Sequence, residues 1–375
     1  MTNSVSNHFY AQYLNSWQSI IQVMLAARMH EYNKPILLEQ VQEAKNLSGE
    51  QVLVKVGGAG ICRTDLQMID GYFRGYLDLQ LPCTLGHEIA GWVEEFGDSV
   101  PENIIKKGDL VVVSGGWGCG ICQQCKGGNE QICGKGKWPG FGPEGGYSEF
   151  VLIPSYKYLI KVDKESNLKP EEIAPLTDAG VTTYRAVKKV KHILGPGKSI
   201  AIIGMGGLGA YAVQYARILS GGSTVLAFDR NDDKLDLAKR SGADHVINIR
   251  GKNSEDIRAE VNKATGRNEV NAAIDAVGLE ETIRMGFSML ATEGAYVSIG
   301  LVGNQINMPL FPFVAREFQY YGSFWGSYND LREVMELAKK GLIKHHIQKF
   351  GLSEANDALD LLREGKILGR GVLVP

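Results

Sequence analysis

No apolar run in this 375-residue chain approaches the length of a membrane-spanning helix, which argues against a helical integral membrane protein. Charge of one sign is not in excess either. Forty Lys and Arg against 42 Asp and Glu leave a net charge of −2, so no basic surface argues for nucleic acid or an anionic membrane as partner. The opening residues 1–23, MTNSVSNHFYAQYLNSWQSIIQV, carry no basic residue ahead of their apolar part and make a poor export signal, so a cytoplasmic location is expected. Phe9, Tyr13, Leu14, Trp17, Ile20, Ile21 and Met24 recur at helical spacing, and an amphipathic helix packed on the body or on a neighbouring subunit is expected there. Cysteine is scarce, at six residues, and neither internal repeats nor low-complexity segments occur. Ordinary apolar (44%) and charged (22%) content over this length suggests a soluble globular protein of two domains.

The few cysteines are not scattered. Cys119, Cys122, Cys125 and Cys133 fall in CGICQQCKGGNEQIC, spaced C-x2-C-x2-C-x7-C. Four thiolates this close satisfy one tetrahedral Zn²⁺ with no vacancy, which makes a structural site. The alternatives are disulfides, which need an oxidising compartment, or unlinked thiols.

A second, open set lies upstream. GICRTD holds Cys62 and Asp65; GHE holds His87 and Glu88, with Cys62 and His87 25 residues apart. A catalytic zinc takes three protein ligands and keeps one exchangeable position, so a third ligand should lie elsewhere. Asp65 and Glu88 are carboxylates able to orient the imidazole or tune the metal. Taken singly, a buried Cys is more often a small apolar residue. Cys83 reads that way, because a fourth ligand would close the site.

From Met24 to about Tyr158 short β-rich runs alternate with glycine-rich turns, as in QVLVKVGGAG and SEFVLIP, which suits a barrel-like β domain. From about Gly180 strands alternate with helices (KSIAIIG, GAYAVQYARILS, STVLAFD), the pattern of a doubly wound parallel sheet. Gly204, Gly206 and Gly209 form G-x-G-x-x-G between the first of these strands and its helix. The helix start at Gly207 and Leu208 offers free N–H groups to a pyrophosphate. Asp229 ends the next strand 20 residues after the last glycine, where its carboxylate suits the ribose hydroxyls of NAD and repels a 2′-phosphate. Arg230 is either a partner for such a phosphate, which keeps NADP open, or an exposed loop cation.

Together, GICRTD, LGHEIAGWVEEFG, the four-cysteine lobe, GGYSEFVL, GMGGLG and the terminal GRGVLVP resemble the zinc-dependent medium-chain alcohol dehydrogenases, over about Met24 to Pro375. The resemblance implies an α/β protein. A GroES-like, barrel-like catalytic domain would span residues 24–178 and 322–375, the tail folding back on it, and a dinucleotide-binding Rossmann domain residues 179–321. It implies two Zn²⁺ per chain, a homo-oligomer (dimer or tetramer), and reversible oxidation of primary or secondary alcohols to aldehydes or ketones by hydride transfer to NAD. A polyol or sugar dehydrogenase of the same family, or a non-catalytic zinc-binding module, are the alternatives.

Residue by residue, the resemblance makes Asp178 the third ligand of the open site, its alternative being a helix N-cap. Glu88 is the rival ligand. Thr182 would sit beside the nicotinamide, and the backbone at Gly300 and Leu301 would hold its carboxamide. Arg370 matches a pyrophosphate-binding arginine, or else forms a C-terminal salt bridge. Thr64 matches a proton-relay hydroxyl. Three residues on, where many members carry a histidine, this chain has Gln67, which cannot hold an extra proton. Trp117, Trp138, Phe141, Leu301 and Trp325 are candidates for an apolar substrate pocket. The histidines at 8, 30, 192, 245, 345 and 346 are expected to be surface or packing residues.

Overall fold

The structure, a computed structural model, describes residues 23–77 and 79–375. The amphipathic helix expected over residues 1–23 lies almost wholly outside the described residues.

The N-terminal part contains β1 (Val23–Met29), β2 (Leu37–Gln42), β3 (Val52–Ile61), α1 (Arg63–Ile69), β4 (Cys83–Thr84), β5 (Glu88–Phe96) and β6 (Leu110–Val113). The short α2 (Gln123–Lys126), β7 (Phe150–Ile153) and β8 (Leu159–Lys161) follow. After α3 (Pro170–Ile173) and α4 (Ala179–Val190) the chain alternates: β9 (Ser199–Ile203), α5 (Gly207–Leu219), β10 (Thr224–Asp229), α6 (Asp232–Arg240), β11 (His245–Asn248), α7 (Ser254–Thr265), β12 (Val270–Asp275), α8 (Glu280–Ser288), β13 (Leu290–Ser298), α9 (Leu310–Ala315) and β14 (Gln319–Gly322). It closes with α10 (Tyr328–Lys339), β15 (Ile347–Gly351), α11 (Ala355–Arg363) and β16 (Arg370–Val374).

Two large sheets result. In one, β15-β16-β3-β5-β6-β8 run in order, with β7 also on β3. The last strand of the chain therefore pairs with β3, Gly371 opposite Ile61, and brings Arg370 beside the end of the Cys62 strand. The other sheet is β11-β10-β9-β12-β13-β14, all neighbours parallel. Its buried strands read as continuous apolar runs; all five residues of β9, SIAII, are buried, as expected when helices cover both faces. The strand order reverses between β9 and β12, the crevice where doubly wound sheets bind ligands.

Glycine has a steric reason at two positions that matter. A Cβ at Gly60 would stand 1.8 Å from Glu88 Oε2, and one at Gly209 would stand 1.9 Å from the Gly204 carbonyl oxygen. The first lets a buried carboxylate lie against β3; the second lets α5 close on the glycine-rich turn.

Candidate metal centres and cofactor cleft

All four lobe cysteines place their sulfurs within 4.8 Å of one another. Cys122 Sγ and Cys133 Sγ are 3.8 Å apart, about the edge of a tetrahedron with Zn–S bonds of ~2.3 Å. The six cysteines are unbridged. Backbone amides point at the sulfurs: Cys119 N and Lys135 N each lie 3.4 Å from Cys133 Sγ, and Cys125 N lies 3.5 Å from Cys122 Sγ. Amide bonds from Ile121 and Cys122 bring the Cys119 thiol down to about 6. Burial pushes Cys125 up to about 12, a proton that a cation at the centre would replace. This donor set fits a closed zinc site.

The second cluster joins Cys62, His87, Glu88 and Asp178, their ligand atoms again within 4.8 Å of one another. Cys62 stands at the N-cap of α1, where its N–H donates to Asp65 Oδ2 at 2.8 Å. That carboxylate also accepts from the Tyr147 hydroxyl at 2.8 Å, while Asp65 Oδ1 lies 3.4 Å from His87 Nδ1. His87 Nε2 is thereby turned toward Asp178 Oδ2, 3.5 Å away, and Cys62 Sγ lies 3.7 Å from the same oxygen. Asp178 occupies the N-cap position of α4 yet makes no capping bond. Its Oδ1 instead accepts from Thr182 Oγ1 at 2.9 Å, so the capping alternative has no support.

Electrostatics at this cluster are dominated by buried acids. Burial opposes charge on Asp178, but His87 and Arg370 outweigh it and hold the carboxyl well below its usual range. His87 is likewise disfavoured as a cation by burial, yet Asp65 and Asp178 raise it well above an ordinary imidazole. A cation is what such a site favours; one thiol, one imidazole and one carboxylate converging is the donor chemistry of zinc. Glu88 is tied to Arg370, whose Nε donates to Oε2 at 3.0 Å and whose Nη2 donates to Oε1. Burial pushes Glu88 up to about 7 against the pull of Arg370.

Between the two sheets runs a cavity of about 190 Å³ lined by Cys62, Thr64 and Gln67 on one side and by the glycine-rich turn, Gly300 and Leu301 on the other, with Arg370 also in its wall. Thr64 Oγ1 lies 3.4 Å from Cys62 Sγ. Gln67 Nε2 crosses the cleft to the Leu301 carbonyl at 2.5 Å. Asp229 accepts from Met205 N at 2.6 Å and Asn231 N at 2.9 Å, and lines a second cavity of about 480 Å³ at the far end of the same sheet crevice. Thr182 belongs by contact to the Asp178 cluster, its hydroxyl donating to Asp178 Oδ1.

The aromatic candidates divide. Phe141 and Trp325 flank the His87 ring at 5.2 and 5.4 Å, and Trp138 meets Phe141 and Phe324 at 6.5 and 5.9 Å. Trp117 does not join them. It stacks on Tyr158 and gives its N–H to Ser114 O at 2.9 Å, which is a packing role. Leu301 lines the cleft, not the aromatic group. Cys83 is buried in the β-domain core, as expected. Tyr147 and Thr177 escaped the sequence reading. Thr177 Oγ1 accepts from Ile89 N at 3.2 Å, and its carbonyl takes the Trp325 indole N–H at 2.7 Å. The motif GGYSEFVL held the signal for Tyr147, but nothing local says where its hydroxyl points.

The sequence profile of an "Alcohol dehydrogenase GroES-like domain" matches residues 48–164, and that of a "Zinc-binding dehydrogenase" matches residues 207–340. The NAD-dependent alcohol dehydrogenase of Sulfurisphaera tokodaii is 41% identical over 359 residues, covering 94% of this chain and 100% of that protein. The D-arabinose 1-dehydrogenase (NADP(+)) of Saccharolobus solfataricus is 35% identical, covering 93% and 97%. The crystal structure of the alcohol dehydrogenase of Aeropyrum pernix superposes with a TM-score of 0.86 at 38% identity, covering 94% of this chain and 100% of that one.

Proposed function

Because the chain belongs to the zinc-dependent medium-chain alcohol dehydrogenase family, we propose that it oxidises primary or secondary alcohols to aldehydes or ketones, reversibly, with NAD. The observation that carries this reading is the meeting of an open Cys62–His87–Asp178 ligand set with Thr64 and a glycine-rich helix start around one cleft. When bound, zinc at that set supplies a Lewis acid for the substrate oxygen, and NAD in the cleft supplies the hydride acceptor.

The chain's own residues do the rest. Asp65, braced by Tyr147 and Cys62 N–H, fixes the His87 ring and leaves Nε2 free to ligate. Thr64 Oγ1 is placed to hold the alcohol proton and pass it toward the cleft. Phe141 and Trp325 wall the ligand set against water and favour apolar substrates. Asp229 is the ribose acceptor and supports NAD over NADP. Arg370, occupied by Glu88 on one edge, lines the same cavity as Gly206 and Gly207 and serves the pyrophosphate. The lobe cysteines hold a second zinc with no catalytic part.

The relative acting on D-arabinose favours a second reading, a sugar dehydrogenase. A panel of alcohols, ketones, aldehydes and sugars with both cofactors separates them. Turnover of apolar alcohols with NAD is expected; preference for sugars overturns the substrate class, and no turnover at all favours a non-catalytic module.

We assign the partner of the β14 sheet edge, unpaired among the described residues, to a second copy of this chain. β14 ends the parallel sheet beside α9, where Leu310 and Phe311 are 74% and 81% exposed. Phe311→Glu should lower the mass seen by sedimentation; an unchanged mass removes this face as the interface. Unbridged cysteines suit a reducing cytoplasm, and among the described residues no helix is long and apolar enough to cross a membrane.

A further inference from the structure

The cavity that Asp229 lines also contains Arg230, Lys252 and Arg284. Each of these cations is already paired with a glutamate. Arg230 Nη2 meets Glu281 Oε2 at 2.6 Å, Lys252 Nζ meets Glu260 Oε1 at 2.9 Å, and Arg284 Nη2 meets Glu280 Oε1 at 2.7 Å. Of the three glutamates, Glu281 alone stands in the cavity wall. It sits in the first turn of α8, across the crevice from β10.

We propose that Glu281 is a cofactor-specificity residue: it holds Arg230 and adds a second carboxylate to the adenosine end of the cleft, so that a 2′-phosphate is rejected. The inference rests on reading this cavity as the adenosine end of the NAD site. Asp229 by itself gives one negative charge, fixed by the Met205 and Asn231 amides. Arg230, next in the chain, has the fork geometry that binds phosphate bidentately and would offset that charge. Glu281 engages one nitrogen of this fork, Nη2. The chain therefore carries the cation an NADP enzyme needs, in the right place, and neutralises it.

The magnitude follows from exposure. The Arg230 and Glu281 side chains are 57% and 68% exposed, so their attraction is weak and screened by salt. Loss of the pair together with loss of one repelling charge is worth on the order of five- to tenfold in relative affinity, not thousands.

The test measures binding of adenosine 5′-monophosphate and adenosine 2′,5′-bisphosphate by calorimetry at low salt. The proteins are the wild type, Glu281→Gln, Arg230→Ala and the double variant. Steady-state KM and kcat with NAD and NADP are measured alongside. Glu281→Gln should raise the bisphosphate-to-monophosphate affinity ratio by about five- to tenfold. The gain should fade with added salt and shrink, to the part due to the lost carboxylate charge, when Arg230 is also removed, and in turnover it should sit in KM for NADP, not in kcat. An unchanged ratio in Glu281→Gln, or a gain undiminished by Arg230→Ala, overturns the proposal while leaving the cavity's assignment intact. Failure of the 5′-monophosphate to bind wild type overturns the cavity's assignment, and the proposal with it.

Discussion

Cys62 and Cys122 are the same residue type about 60 positions apart in one chain, and their surroundings give them different work. Cys62 is buried at the cleft wall, in a cluster that also offers a carboxylate and an imidazole. Cys122 sits among three other thiols in a lobe outside that wall. Cys62→Ala should therefore remove one of two zinc equivalents and lower alcohol oxidation by about 10³-fold, the worth of several kcal/mol of Lewis-acid stabilisation, with the melting temperature little changed. Cys122→Ala should leave the open site loaded but lower stability, because a closed zinc site contributes folding free energy directly. Metal analysis, turnover and thermal melting on both variants decide it. Full metal and full turnover in Cys62→Ala would sink the catalytic assignment.

At the scale of elements, the lobe is tied to the helix that follows Asp178. Arg185 on α4 donates from Nη2 to Asn129 Oδ1 in the lobe at 2.7 Å and from Nη1 to Asp330 Oδ2 on α10 at 2.7 Å. Lys188 reaches Asp330 Oδ1 at 3.0 Å, and Ser327 caps α10 onto the same residue. Burial opposes the Asp330 charge, but Lys188, Arg185 and the Ser327 amide outweigh it and hold the carboxyl below its ordinary value of 3.8. A depressed acid stabilises the fold above its unfolded pKa and loses that contribution as pH falls through its folded pKa. Asp330→Asn should thus cost about 2 kcal/mol at neutral pH, less than a fully buried pair because both cations are partly hydrated. The gap in urea unfolding between wild type and variant should stay constant from pH ~7 to ~4.5 and narrow only in the range below. A gap that closes already near pH ~6 would exclude this carboxylate as its source. These ties also mark what was legible. The strands, the G-x-G-x-x-G turn, the four-cysteine lobe and the Cys62–His87 pair were readable because each rests on local spacing or periodicity, whereas Asp178, 116 positions from Cys62, came only through the family resemblance. The Asn129–Arg185–Asp330 link and the placing of Tyr147 against Asp65 join residues 56, 145 and 82 positions apart, and no periodicity carries such contacts. Trp117 misled for the same reason: an indole near the lobe reads alike whether it faces a substrate or, as here, stacks on Tyr158.

A cleft lies between the two large sheets, and Gln67 is one of the side chains that cross it. Its amide donates to the Leu301 carbonyl at 2.5 Å, from α1 to the loop after β13. A titrating imidazole at this place would end a proton path from Thr64 near neutral pH; an amide with its N–H already engaged passes no proton. Protons should then leave by water alone, so single-turnover alcohol oxidation should rise toward alkaline pH without an imidazole plateau. Gln67→His should introduce a titration near pH ~6.5 and speed oxidation at neutral pH. The gain should lie well under the ~10²–10⁴-fold of full general-base catalysis, since water supplies part of it. The substitution also breaks the cross-cleft bond, which acts on cofactor binding and not on the shape of the pH profile. An altered Kd for NAD with an unchanged profile would therefore assign Gln67 to holding the two sides of the cleft together. A new inflection in the profile, whatever happens to Kd, would put this position on the proton path.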